Sequence, residues 1–405
     1  MSRFSRTLSL LMIGLTLILW HCQKQSPSTS PRFESLITEV KQEFAPDRRV
    51  AIYEVEEVVR DGYSVLRGET NLPAAHQRLL DKIAATEGHF LDSIAVLPDP
   101  ALGARQWALV NNSVANIRSR ASHSAELATQ ALLGTPLNVF KRDGSFSLVQ
   151  TPDGYIGWVD NGAIVRVDAA ELKRYKQAPR VVFLPVYGFA REQAASGSAV
   201  VSDLVSGGLL EKTGRSGTYF QVRYPDGRQG FVSMGEAVDY EAWLAGIQSG
   251  EKNLIKEARA FMGVPYLWGG TSTKGVDCSG FTKAVYLMNG VILPRDASQQ
   301  VHVGTVVDSS GTFENLRPGD LLFFGRAATD STRERVVHVG MWIGEGRYIH
   351  SSGRVRINSM DPQAEDFSEY NRNRYLRSKR LLGTEKGLAL LKKDGLFSRI
   401  RLPEN

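Results

Sequence analysis

Cysteine is almost absent from this chain of 405 residues, which contains only Cys22 and Cys278. Two cysteines exclude a disulfide framework and any metal site built from a cysteine cluster. The chain also lacks a dense lysine and arginine tract, although its net charge is +6, so a nucleic-acid partner is not expected. No His-Glu-x-x-His or paired-cysteine spacing occurs, and we expect neither a metal nor another cofactor. The composition is otherwise globular, and the length allows about two to four domains.

The N-terminus is typical of an export signal. Two arginines precede an apolar stretch over residues 8–20, which is shorter than the roughly 20 residues of a membrane-spanning helix. Cys22 ends this stretch, and a Ser/Pro-rich tether follows over 23–33. The pattern over 1–22 resembles a bacterial lipoprotein signal, which implies lipidation of Cys22 and anchoring on the periplasmic side of the cell envelope. An ordinary leader cut nearby and an uncleaved anchor are the alternatives.

The middle of the chain divides into three segments. Residues 34–100 combine helical and alternating patterns and predict a small α+β module without recognisable chemistry. Residues 147–159 and 220–232 then share one pattern: a strand, a Pro-Asp-Gly turn and a second strand. Because this repeat lies among other short strands, it predicts two small β-barrels, over 105–170 and 178–248.

A candidate nucleophile lies in the last third of the chain. Cys278 comes just before a helix predicted over residues 282–289, between Asp277 and Ser279. The positive end of a helix favours a thiolate, which is the reactive form of cysteine. The alternative is a buried, unreactive cysteine, but the two polar neighbours argue against an apolar pocket.

Two histidines supply a candidate base and a group to orient it. His338 and His350 lie in apolar runs on either side of Gly344-Glu345-Gly346, which predicts a β-hairpin. A three-residue loop pairs Gly340 with His350 and puts both histidines on one face of the sheet. A two-residue loop moves them to opposite faces. With the three-residue loop, the segment predicts a catalytic cysteine–histidine pair with a third residue behind it.

Several short motifs together resemble the NlpC-type cysteine peptidases of bacterial cell walls. They are Leu-Trp-Gly-Gly at 267–270, Asp-Cys-Ser-Gly-Phe at 277–281, Leu-Pro-Arg at 293–295, Arg-Pro-Gly-Asp-Leu-Leu-Phe-Phe at 317–324 and His-Val-Gly at 338–340. The resemblance covers roughly 250–383, leaves a tail over 384–405 and implies a papain-like catalytic domain. The two barrels resemble bacterial Src-homology-3-type (SH3-like) modules, which serve either as spacers or in wall targeting. The expected fold is therefore an α+β multidomain protein.

The resemblance implies a role for each matching residue. The catalytic set comprises Cys278 as nucleophile, His338 as base and His350 as polar third residue. Residues near the oxyanion or the substrate are Tyr266, Asp277, Ser279 and Ser298 from the catalytic domain, and Tyr155 and Glu126 from the first barrel. Asp277 is expected to hold a free α-amine, because a carboxylate selects an ammonium group. For Tyr155 and Glu126 the alternative is barrel surface.

The whole layout resembles the γ-D-glutamyl-L-diamino-acid endopeptidases of the dipeptidyl-peptidase VI type. The implied activity is hydrolysis of the γ-D-glutamyl–diamino acid bond in murein peptides with a free N-terminal L-Ala. Three alternatives remain: an endopeptidase acting on intact peptidoglycan stems, a non-catalytic wall-binding lipoprotein and an acyltransferase on the same fold. The expected partners are murein peptides or peptidoglycan, and a membrane through the lipid anchor.

Overall fold

The computed structural model describes residues 32–60, 63–86, 89–248, 250–384, 388–393, 395–397 and 400. Cys22, the signal-like segment and most of the tether lie outside these residues. Within the described part, no helix is long and apolar enough to cross a membrane.

The N-terminal module is a three-stranded sheet covered by two helices. Its elements are α1 (Glu34–Phe44), β1 (Tyr53–Arg60), β2 (Tyr63–Thr70), α2 (Pro73–Ala84) and β3 (Phe90–Val96). β2 lies in the centre, antiparallel to β1 and parallel to β3. Val40, Leu66, Leu79 and Ile83 are fully buried between helices and sheet. The sequence pattern indicates helices near residues 33–44 and 73–83 and strands over 50–59 and 63–68, which match the first four elements, but it does not indicate β3.

Two seven-stranded sheets follow, and their strands are connected in the same way. The first contains β4 (Trp107–Val110), β5 (Val114–Arg118), β6 (Leu127–Leu132), β7 (Pro136–Asp143), β8 (Phe146–Gln150), β9 (Ile156–Asp160) and β10 (Ile164–Val167). After α3 (Ala169–Gln177), the second contains β11 (Arg180–Phe183), β12 (Tyr187–Arg191), β13 (Val200–Val205), β14 (Leu209–Ser216), β15 (Tyr219–Arg223), β16 (Gln229–Ser233) and β17 (Ala237–Asp239). Helix α4 (Tyr240–Gly246) ends this part.

The strand orders show that the sequence repeat is also a structural repeat. The first order is β6-β5-β9-β8-β7-β4-β10 and the second is β13-β12-β16-β15-β14-β11-β17, so each strand has a counterpart seven strands later. The Pro-Asp-Gly turns join β8 to β9 and β15 to β16. Gly154 and Gly227 both have a φ of 92° there, a conformation that favours glycine.

The C-terminal part packs helices against a six-stranded antiparallel sheet. Its elements are α5 (Glu251–Ala260), β18 (Thr271–Ser272), β19 (Gly275–Val276), α6 (Cys278–Met288), β20 (Val291–Ile292), α7 (Ala297–Gln300), β21 (Thr305–Asp308), β22 (Leu321–Arg326), β23 (Arg335–Gly344), β24 (Arg347–Ser352), β25 (Arg354–Ser359), α8 (Glu369–Arg372), β26 (Tyr375–Arg380) and β27 (Ala389–Leu390). The sheet order is β21-β26-β22-β23-β24-β25. Phe281 and Val285 of α6 pack on Val339 and Ile349 of the sheet.

Polar contacts join the C-terminal part to both seven-stranded sheets. Gln130 of β6 accepts hydrogen bonds from the backbone N–H of Thr271 (2.9 Å) and the hydroxyl of Ser272 (3.0 Å). Lys274 forms an ion pair with Asp203 of β13 at 2.6 Å. These contacts place the first sheet beside the N-terminal end of α6, where the candidate nucleophile lies.

Candidate active site

Cys278 is the first residue of α6, and the helix begins four residues earlier than the sequence predicted. Asp277 caps this end, because its Oδ1 accepts the backbone N–H of Gly280 at 2.7 Å. Burial, followed by the charge of Asp277, raises the pKa of the Cys278 thiol to about 11, although hydrogen bonds from the backbone of Val339 and Ser279 act in the opposite direction. Burial therefore outweighs the positive end of the helix, and this pKa favours the thiol over the thiolate.

The hairpin that carries the histidines differs from its predicted form. β23 and β24 are joined by only two residues, 345–346, so the predicted three-residue loop is wrong. A β-bulge between Trp342 and Gly344 places one additional residue in β23. The bulge compensates for the shorter loop and restores the predicted register. His338 and His350 therefore lie on the same face.

A chain of hydrogen bonds runs across three neighbouring strands, from His338 on β23 through His350 on β24 to Asn358 on the edge strand β25. His338 Nε2 lies 2.8 Å from His350 Nδ1, and His350 Nε2 lies 3.0 Å from Asn358 Oδ1. The Asn358 amide nitrogen donates to the carbonyl of Asp366 at 2.9 Å, which turns its Oδ1 towards His350. This network assigns the protons: both histidines donate through Nε2, and His338 Nδ1 is left without a proton, as an acceptor. The backbone of Val339, the next residue, hydrogen-bonds to the Cys278 sulfur, so the cysteine lies beside this strand.

Both histidines are held neutral. Burial, together with the charges of His350, Arg374 and Arg356, lowers the pKa of His338 well below 6.5. Burial also lowers the pKa of His350 to about 4, although the hydrogen bond that its Nε2 donates to Asn358 Oδ1 acts in the opposite direction. A neutral His338 keeps a ring nitrogen that can accept a proton, which is what a general base requires.

Asp277 is engaged by the protein itself. Arg295 donates to both its oxygens, at 3.1 and 2.5 Å, and the backbone N–H of Gly269 donates to Oδ2 at 2.9 Å. Ser279 donates to Oδ1 and accepts from Arg295. The side chains of Asp277 and Arg295 are only 8% and 1% exposed. This buried ion pair fixes the start of α6 and gives Asp277 partners other than a substrate amine.

A second carboxylate, that of Asp296, directly follows Arg295 in the sequence. The sequence pattern did not identify it as a site residue. It is 28% exposed and precedes α7, and the Tyr155 hydroxyl of the first sheet lies 3.4 Å from its Oδ2. Arg49 of the N-terminal module donates to Asp296 at 2.7 Å and to the Ser298 hydroxyl at 2.9 Å. The signal in the sequence is the Asp296–Gln299 spacing of a capping box directly after the Leu-Pro-Arg motif.

The two remaining predicted residues, Tyr266 and Glu126, meet at the segment 266–268. Tyr266 is close enough to Cys278 and Asp277 for their charges to act with burial in raising its pKa to about 12, so its hydroxyl keeps its proton. Glu126, in the loop directly before β6, accepts a hydrogen bond from the indole of Trp268 at 2.6 Å. Trp268 is 63% exposed and follows Tyr266 by two residues, so this pair lies on the rim beside Tyr266.

Three aspartates of this region pair with arginines of the protein. Asp277 pairs with Arg295, while Asp47 and Asp296 pair with Arg49. Across the described part of the chain, no group of three or more histidine, cysteine, aspartate or glutamate side chains is arranged to hold a metal ion.

Two models of known protein families match this sequence. The model of the NlpC/P60 family matches residues 263–375, and that of the bacterial dipeptidyl-peptidase Sh3 domain matches 117–164. The γ-D-glutamyl-L-lysine dipeptidyl-peptidase of Bacillus cereus is 30% identical over 249 residues, which are 60% of this chain and 72% of that protein. Dipeptidyl-peptidase 6 of Lysinibacillus sphaericus is 26% identical over 272 residues, covering 63% of this chain and 92% of that protein.

Solved structures share the fold. An NlpC/P60 family protein from Bacillus cereus superposes with a TM-score of 0.57 at 23% identity, covering 68% of this chain and 99% of that one. An NlpC/P60 endopeptidase from Photobacterium damselae superposes with a TM-score of 0.52 at 15% identity, covering 70% and 72%. With the sequence relatives, these findings show that the chain belongs to the NlpC/P60 family of cysteine peptidases and carries a bacterial SH3-type domain.

Proposed function

We propose that this protein hydrolyses the bond between the γ-carboxyl of D-Glu and a diamino acid in murein peptides whose N-terminal L-Ala is free. Two relatives that are similar over most of their length are named as dipeptidyl-peptidases, one of them for a γ-D-glutamyl-L-lysine bond. One observation carries the proposal: Cys278 begins a capped helix, the backbone of Val339 hydrogen-bonds to its sulfur, and His338 next to Val339 heads a buried His-His-Asn chain. Asp296 adds a part-exposed carboxylate, joined to Asp277 through Arg295.

Acylation starts from the neutral pair. His338 Nδ1 takes the thiol proton as the Cys278 sulfur attacks the γ-carbonyl carbon of D-Glu. The oxyanion that forms receives hydrogen bonds from the Cys278 backbone N–H, which has no partner within the first helical turn, and from the Tyr266 hydroxyl. When the C–N bond breaks, His338 gives its proton to the leaving amine, and a thioester remains on Cys278.

Hydrolysis of the thioester returns the enzyme to its starting state. His338 Nδ1 takes a proton from water as the water oxygen attacks the thioester carbonyl. The C–S bond then breaks, the proton passes from His338 to the Cys278 sulfur, and L-Ala-D-Glu leaves with a γ-carboxyl group that releases its proton to solvent. Throughout, His350 and Asn358 hold the ring of His338 in one orientation.

Asp296 is the residue that we assign to the substrate amine. Asp277 is buried in its ion pair with Arg295, whereas Asp296 is part-exposed and lies beside the Tyr155 hydroxyl. A carboxylate hydrogen-bonded to an ammonium group forms a charge-assisted contact that an acylated nitrogen cannot make. Glu126, held by Trp268 on the rim, is a second acidic group of the first sheet that would favour a cationic N-terminus.

The test is hydrolysis of L-Ala-γ-D-Glu-diaminopimelate and its N-acetylated form by the full chain, with products identified by mass. We expect cleavage of the free-amine peptide between D-Glu and diaminopimelate, and at least tenfold slower cleavage of the acetylated one. Equal cleavage of both would indicate an endopeptidase for intact stems. Cleavage of neither would indicate a wall-binding protein or another acyl substrate. Cys278→Ala is the matched control and should remove all hydrolysis.

We further propose that the second seven-stranded sheet is a second SH3-like domain and that the protein is lipid-anchored in the cell envelope. The repeated strand order supports the first point, and the apolar segment before Cys22 supports the second. Expression of the chain and of Cys22→Ala with radiolabelled palmitate tests the anchor. Label should enter the membrane fraction with the unaltered chain alone.

A further inference from the structure

The N-terminal module reaches the amine side of the cleft through one side chain. Arg49 lies in the segment between α1 and β1, yet its Nη1 donates to Asp296 and Ser298 near the start of α7. The same segment contacts the first sheet, because the carbonyl of Arg49 accepts the N–H of Ile156 at 2.7 Å. Arg49 thus lies where the module, the first sheet and the catalytic part meet.

Arg49 is held firmly in this position. Asp47 accepts from its Nε and Nη2, both at 2.8 Å, and also from its backbone N–H at 3.0 Å. Gln299 of α7 donates to Asp47 at 2.8 Å, which ties the pair to the catalytic part. A guanidinium bound bidentately by one carboxylate has its remaining donors aimed in a fixed direction. Here that direction is towards Asp296.

The ionised side chains around Arg49 and Arg295 carry one more negative charge than positive charge. Three carboxylates, Asp47, Asp277 and Asp296, are paired with two guanidinium groups, Arg49 and Arg295. The excess of one negative charge matches one substrate ammonium group. An uncharged, acylated nitrogen leaves this charge uncompensated.

We propose that Arg49 is a specificity-determining residue that forms the end wall of the amine subsite. This inference rests on the proposed function and on Asp296 as the residue that receives the amine. An N-terminal L-Ala places its ammonium against Asp296, beside Arg49. A peptide with another residue before L-Ala must continue into the space that Arg49 and Asp47 fill. The substrate class is therefore short peptides released from the glycan, with nothing attached to L-Ala.

The experiment compares L-Ala-γ-D-Glu-diaminopimelate with the same peptide extended by one N-terminal glycine. We measure kcat/KM for both peptides with the full chain and with Arg49→Ala, and take their ratio as the selectivity. Arg49→Ala should lower this ratio at least tenfold, mainly through a gain on the extended peptide. Arg49→Lys, which keeps the charge but loses the bidentate bond to Asp47, should give an intermediate ratio.

Arg48→Ala is the matched control, because Arg48 is the exposed neighbour on the same segment and should leave the ratio unchanged. If melting shows that Arg49→Ala does not fold, Arg49→Gln carries the same expectation. A ratio for the Arg49 variants within threefold of the unaltered chain overturns the inference about Arg49 alone. If the unaltered chain cleaves neither peptide, or both equally, the proposed function fails before any variant is measured.

Discussion

For individual residues, the chemistry depends on which ring nitrogen of each histidine carries a proton. The Asn358 amide decides this, because its nitrogen is used by the Asp366 carbonyl and its oxygen must accept from His350. His350 in turn must accept from His338, which leaves Nδ1 of His338 free of a proton. Asn358 does not touch the reacting atoms and acts as a positioning residue.

Asn358→Leu should lower kcat at least about tenfold with little change in KM, because it removes the acceptor that fixes the histidine protons. Asn358→Asp should retain most activity, because a carboxylate also accepts from His350. The added negative charge stabilises protonated histidine, so the acid limb of its pH–rate profile should move to higher pH. Steady-state kinetics across pH measures both effects. A purely structural role predicts equal losses in the two variants and no pH displacement.

Arg356 provides a second test of the histidine pair. It is exposed on β25, pairs with His350 across the sheet, and its charge helps to lower the pKa of both histidines. Arg356→Ala should therefore raise these pKa values and move the acid limb of kcat/KM to higher pH. Arg354→Ala removes an exposed arginine from the same face of β25 and should leave the limb in place. An unmoved limb in Arg356→Ala would show that another group sets the acid side.

Among the elements, helix α6 depends on a close contact between its first turn and the loop before it, which the sequence pattern does not predict. The sequence predicts a helix after Cys278, but not its start at the cysteine, which depends on the Asp277 cap. A Cβ on Gly280 would lie 1.9 Å from the carbonyl oxygen of Gly270, so the first turn packs directly on the preceding loop. This packing fixes where the Cys278 sulfur lies.

Gly280→Ala should lower the free energy of unfolding by about 1–3 kcal/mol or more, the usual cost of overpacking a tight contact. It should also lower kcat strongly, because the first turn must move. Gly246→Ala at the end of α4 is the control, since no atom of the described residues lies within 4 Å of the added methyl group. Urea denaturation and peptide hydrolysis measure the two quantities. Gly280→Ala with the stability and activity of the control would contradict this account of α6.

The local sequence predicts some features of the hairpin that carries the histidines, but not all of them. Alternating apolar residues predicted both strands and the shared face of His338 and His350. The loop length was wrong, because Glu345 and Gly346 both adopt positive φ and close a two-residue turn. The bulge that corrects the register depends on how β23 pairs with its neighbours, and nothing in the local pattern specifies it.

In the molecule as a whole, the site is completed by contacts that span most of the chain. Cysteine, histidines and the repeat were predicted because each has a local signature. Asp296 and Arg49 were missed because their partnership joins residues 247 positions apart. The raised pKa of Cys278 was not predicted for a related reason, because the burial of Cys278 depends on how the helix and the sheet pack together.

The most direct test of the account labels the enzyme with L-Ala-γ-D-glutamyl chloromethyl ketone, a substrate-like electrophile that alkylates an attacking thiol. The chain offers only two thiols, Cys22 and Cys278, and peptide mapping by mass distinguishes them. We predict one equivalent of label on Cys278, little label from the N-acetylated reagent and none on Cys278→Ala. Absence of label on Cys278, or equal labelling by both reagents, would contradict a cysteine peptidase that selects a free-amine γ-D-glutamyl peptide.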